Sequence, residues 1–149
     1  MILAALAYGA ALYIANVSGS RVTGVLEIVS TGSGNLHGRW PLEDSGEFTI
    51  EFMHSVNQSP VRETFRLQEG QFTLEYVRFY SFGAGLPFDL QAGQTLSRDG
   101  DAMIISGFDF SLREINLIVG TDHILFINNE SISLKELCGQ NAHITIRYR

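Results

Sequence analysis

Between Glu47 and Phe52 apolar and polar residues alternate strictly. Phe48, Ile50 and Phe52 are separated by Thr49 and Glu51, a period of two that puts one apolar row on one face of a β-strand. The same period carries His54 and Val56 onto that face. After Asn57-Gln58-Ser59-Pro60, residue types that favour a turn, Val61, Phe65 and Leu67 resume the row between Arg62, Thr64 and Arg66. Glu63 therefore falls on the apolar side. A second turn at Glu69-Gly70 returns Phe72, Leu74 and Tyr76 along a third strand.

With residues 57–60 as the loop, Val56 pairs with Val61, Phe52 with Phe65 and Ile50 with Leu67. The next hairpin pairs Leu67 with Phe72, Phe65 with Leu74 and Glu63 with Tyr76. Apolar residues then meet apolar partners, whereas a slip of one residue would turn each row to the wrong face. This register predicts a polar rung, His54, Glu63 and Tyr76, across three neighbouring strands. An inward carboxylate beside an imidazole is costly without a hydrogen bond, so the pattern predicts a His54/Glu63 pair with the Tyr76 hydroxyl as a further donor. Two readings follow: a satisfied buried network that fixes the strand pairing, and a ligand or catalytic site with a tuned acid/base pair.

Around this meander the alternation continues in short pieces. Val25–Val29 and Leu36–Trp40 read as strands about the Ser30–Gly34 turn, and Gln94–Ser97 and Ala102–Ile105 as a hairpin about Asp99-Gly100. Phe108, Phe110 and Leu112 alternate, as do Ile115, Leu117 and Val119. Gly120-Thr121-Asp122 turns the chain into a strand over 123–127, and Asn128-Asn129-Glu130 turns it towards Ile132. Ser133–Leu137 reads as one capped helical turn ending before Gly139, and Ala142, Ile144, Ile146 and Tyr148 as a last strand. Hairpins at this spacing predict an all-β antiparallel sandwich or barrel-like meander of about nine to eleven strands. Residues 21–149 form a single β domain.

Two stretches break the alternation. Met1–Val17 carries no charged side chain, which predicts an N-terminal hydrophobic leader or membrane anchor within residues 1–20, although no Lys or Arg precedes it. Ser81-Phe82-Gly83-Ala84-Gly85-Leu86-Pro87 has closely spaced glycines that permit positive φ. Such a loop can turn several backbone N–H groups towards an anion, or form a tight irregular turn.

Composition narrows the function classes. Ten Phe, five Tyr, fifteen Gly and three Pro among 149 residues suit a β fold, and a net charge of −6 leaves no electrostatic footprint for nucleic acid. Contact with a membrane is expected only through residues 1–17. Cys138 is the single cysteine, which rules out an intrachain disulfide and a cysteine-based zinc cage. The four histidines, His37, His54, His123 and His143, lie in separate elements, and no phosphate-loop, nucleophile-elbow or His-Glu-x-x-His pattern is present. The sequence predicts no cofactor and no metal site.

The segments Phe52-x-His54-Ser55-Val56, Pro60-Val61-x-Glu63-x-Phe65, Ser81–Pro87 and Leu117-x-Val119 with His123 resemble the bacterial family called domain of unknown function 1850. The resemblance implies a small extracytoplasmic or periplasmic protein, often encoded beside TRAP transporters of the TAXI type, and it implies no activity. The leading expectation is a non-enzymatic accessory domain that contacts TRAP transporter subunits or binds a small, anionic solute. His54, Ser55, Glu63, Tyr76, Ser81, Gly83, Ala84 and Gly85 are its candidate ligand-binding residues. The alternatives are an enzyme in which Glu63 orients His54 as a general base, and a purely structural interaction domain.

Overall fold

A computed structural model describes residues 24–56, 58–80 and 90–149. The expected leader and the glycine-rich stretch lie outside the described residues. The strands are β1 Gly24–Ser30, β2 Leu36–Leu42, β3 Glu47–His54, β4 Ser59–Gln68, β5 Gln71–Phe79, β6 Thr95–Asp99, β7 Ala102–Ser106, β8 Ser111–Leu112, β9 Glu114–Ile118, β10 Ile124–Ile127, β11 Glu130–Ser133 and β12 His143–Tyr148. One short helix, α1 Leu134–Cys138, is capped as expected, with the Ser133 hydroxyl accepting from the Glu136 backbone and Gly139 closing it at φ 94°.

The fold is an all-β sandwich of two antiparallel sheets. The small sheet runs β2-β1-β12-β9 and the large one β11-β10-β3-β4-β5-β7-β6, with β8 added to β5; neither closes into a barrel. Its core joins the sheets: Leu26, Ile28, Ile144 and Ile146 of the small sheet pack in one cluster with Phe48, Ile50, Phe65, Leu67 and Phe72 of the large one. Phe48 sits at its centre, stacked on Phe65 at 5.4 Å and edge-on to Phe72 at 5.1 Å. A second cluster, Val61, Phe79, Met103 and Ile105, fills the inner face of the large sheet at the β3–β4 turn end, with Phe52, Val77 and Phe108 against it. The outer face carries ion pairs instead, among them Arg66 with Glu47 and Glu75, and Arg78 with Asp99.

The predicted facing of β3 and β4 holds, but their register does not. The loop is 55–58, closed by the Gln58 N–H on the His54 carbonyl, so His54 opposes Ser59, Phe52 opposes Val61, Ile50 opposes Glu63 and Phe48 opposes Phe65. The pairing differs from the predicted one by an even number of residues, which leaves every side chain on its predicted face. Alternation cannot separate such registers. Pro60 lies in β4 ahead of the β5 ladder, which begins at Arg62, at a place where a missing N–H is tolerated.

The second hairpin turns at Glu69-Gly70, both at positive φ, and pairs Leu67 with Phe72 and Phe65 with Leu74, as the pattern predicts. A bulge then intervenes. Phe65 opposes Leu74 but Thr64 opposes Tyr76, so Glu75 is the extra residue and everything beyond it changes face. Val77 takes the inward place opposite Glu63, and Tyr76 points outward, 36% exposed. The alternation at Phe108, Phe110 and Leu112 also yields less strand than expected, only β8, because Gly107 at φ 81° redirects the chain and Phe108 packs into the core.

Candidate functional site

The predicted polar rung does not assemble. His54 ends β3 on the inward row, half-buried, and Ser55 is exposed in the turn, its carbonyl accepting from Gln58 Nε2 at 2.7 Å. Glu63 lies four residues further along β4 than Ser59, the partner of His54, a distance of about 13 Å at the rise of a strand. Tyr76 stands on the other face. Ser81, Gly83, Ala84 and Gly85 lie outside the described residues.

Glu63 does point inward as its phase predicts. It is flanked by Ile50 on β3 and Val77 on β5, with Val61 and Phe65 two residues away along its own strand. Among the described residues its carboxyl group has no hydrogen-bond or ion-pair partner. Burial among these apolar neighbours pushes its pKa above the ordinary carboxyl value.

A different histidine has the geometry of a site. Where β3, the start of β4 and the turn into β10 meet, a cleft of about 310 Å³ is lined by Phe52, Met53, Pro60 and Ile124 on its apolar side and by Glu51, Thr121, Asp122, His123 and Ser133 on its polar side. The His123 ring stacks on Phe52, centroids 5.7 Å apart at an interplanar angle of 24°. Its Nδ1 accepts a 2.8 Å hydrogen bond from the Gly120 backbone N–H. A backbone N–H can only donate, so Nδ1 is unprotonated and, in the neutral ring, the proton sits on Nε2. Burial lowers the His123 pKa, an effect that nearby Asp122 partly opposes, and this favours the neutral form.

Local sequence makes this arrangement possible. A Cβ at position 120 would stand 2.8 Å from His123 Nδ1, so glycine permits the close approach of backbone to ring. The His123 carbonyl accepts from Leu134 N at 2.9 Å, which ties the turn to the start of α1. Among the described residues Nε2 has no hydrogen-bond partner. The site thus presents a neutral N–H donor beside an apolar wall and the Asp122 carboxylate, which accepts from the Thr121 hydroxyl at 2.7 Å. The sequence signal for it was a glycine three residues before a histidine in a turn. The stacking on Phe52, some seventy residues distant, leaves no local trace.

A larger groove of about 450 Å³ lies at the Asn128-Asn129 turn. Its polar groups are largely engaged, Glu47 with Arg66, Glu130 with the Trp40 indole and Asn128 with the Pro41 carbonyl. It offers less unsatisfied chemistry than the His123 cleft. Among the described residues no three His, Cys, Asp or Glu side chains gather into a metal site.

The family described as Domain of unknown function (DUF1850) matches residues 48–134. The chain belongs to this family. No curated protein and no solved structure matches it. The DUF1850 match takes in all of the large sheet except Glu47, together with β9, and so contains His54, Glu63 and every residue named in the His123 cleft.

Proposed function

We propose that this DUF1850 chain is a non-enzymatic extracytoplasmic β domain that binds a small ligand and assists a TRAP-type solute-uptake system. The observation that carries the binding part is the His123 cleft, where a ring of fixed tautomer holds an Nε2–H with no partner among the described residues next to an apolar wall. A donor that opens to the cleft without a partner among the described residues can exchange water for a ligand's acceptor. The uptake and extracytoplasmic parts rest on the family resemblance and on the uncharged Met1–Val17 run.

Thermal-shift and calorimetric screening of the full chain tests the reading. The screen includes organic acids, the solute class expected from the sequence. A ligand whose binding is lost in His123→Phe supports the cleft, and co-purification with transporter subunits supports the uptake role. Silence in both would sink the proposal. The enzymatic alternative needs Glu63 in contact with His54, and the β3–β4 register separates them.

A further inference from the structure

The geometry points to the class of ligand: a small molecule with a protonated amine next to a hydrogen-bond acceptor, and an apolar substituent that lies against Phe52 and Ile124. This inference rests on the His123 cleft being a ligand site and adds what that site selects.

Charge sets the first requirement on the ligand. Two carboxylates line the cleft. Glu51 is neutralised by Arg62, whose guanidinium is held over the Phe126 ring, 5.2 Å from its centroid. Asp122 has no such partner: among the described residues no cation lies within ion-pair distance of it, and its one hydrogen bond comes from the neighbouring Thr121 hydroxyl. No Lys or Arg lines the cleft among the described residues. A ring whose Nδ1 accepts from a backbone N–H is neutral, so His123 supplies no positive charge either. The uncompensated charge of the cleft is therefore negative. An anion entering it would meet Asp122 unscreened by any cation, whereas an ammonium group would complete the missing ion pair.

The remaining groups fix the rest of the ligand. Nε2–H of His123 requires an acceptor, which a carboxylate or carbonyl adjacent to the amine supplies. Phe52, Met53, Pro60 and Ile124 require an apolar body. A volume of about 310 Å³ is at the small end of ligand sites and suits a molecule the size of a branched amino acid.

Three probes that share the branched side chain of leucine separate these requirements: free leucine, with amine and carboxylate; isoamylamine, with the amine alone; and isocaproate, with the carboxylate alone. Calorimetric titration of the full chain near neutral pH is expected to rank leucine first, isoamylamine second and isocaproate last. Asp122→Asn, which still accepts the Thr121 hydroxyl bond, is expected to weaken leucine and isoamylamine by about tenfold or more. His123→Phe, which keeps a ring against Phe52 and removes the donor, is expected to weaken leucine more than isoamylamine, which offers no acceptor. The ranking of probes on the unmodified chain stands even if a variant misfolds. Isocaproate binding as tightly as leucine, or leucine affinity unchanged in Asp122→Asn, would overturn the inference. Isocaproate binding that disappears in His123→Phe would remove the amine and leave the cleft as a ligand site. Silence of all three would remove the amine and, with a silent wider screen, the site itself.

Discussion

Glu63 shows how far one residue can depart from the pattern around it. It occupies an apolar position between Ile50 and Val77, and no described side chain answers its charge. A carboxyl group desolvated in this way is held protonated more readily in the folded chain than in the unfolded one. Its folded pKa is raised, so its stabilising contribution is fully present below the ordinary value of 4.5 and is lost as pH rises through the raised value. Glu63→Leu should therefore stabilise the domain at neutral pH by about 1 kcal/mol and flatten this part of the pH dependence. Chemical denaturation of both proteins across that window checks it; a less stable Glu63→Leu would mean that the carboxylate has a partner. The phase of this residue was legible in the sequence, since alternation from Val61 to Leu67 places it inward. Its neighbours were not, because alternation is equally satisfied by registers that differ by two or four residues.

Among the elements, β5 decides what the large sheet presents on each face. Up to Leu74 its inward residues follow the sequence period, and beyond Glu75 they follow the opposite phase. The bulge residue is held on the outer face by Arg66, whose Nε lies 3.1 Å from the Glu75 carboxylate. This single inserted position brings Val77 and Phe79 inward and puts Tyr76 outside. Nothing in Leu74-Glu75-Tyr76-Val77 announces it, since Tyr76 suits either face of a half-buried strand. Deleting Glu75 should turn the bulge into regular pairing that keeps Tyr76 outward opposite Thr64 and leaves Phe79 buried, at the loss of the ion pair with Arg66. The expected cost is no more than about 1 kcal/mol, the scale of a surface ion pair. A deletion variant that loses its cooperative urea transition would contradict this description of the strand.

At the scale of the whole molecule, the family match and the fold divide the chain differently. Residues 48–134 hold the large sheet nearly entire, but its core is covered by Leu26 and Ile28 of β1 and Ile144 and Ile146 of β12, which lie outside the match. Without them Phe48, Phe65 and Phe72 would face water, and an apolar sheet face of that size does not stand alone. A 48–134 fragment should therefore lack a cooperative thermal transition while residues 24–149 retain one, as calorimetry would show. The hairpin rhythm of the sequence was enough to predict an antiparallel all-β fold, and it left sandwich and barrel both open. The pairing of β1 with β12, from opposite ends of the chain, was beyond any local pattern.

His123 offers whatever enters the cleft a neutral Nε2–H donor that has no partner among the described residues. Long-range ¹⁵N–¹H correlation spectra of the imidazole rings in the full chain test it most directly. The account predicts an unprotonated Nδ1 and a protonated Nε2 for His123, a pattern that persists below the ordinary histidine pKa of 6.5 because burial lowers the value. The stability this provides is present above 6.5 and lost as pH falls through the lowered pKa. A protonated Nδ1, or an averaged pair of tautomers at neutral pH, would contradict the account at its foundation.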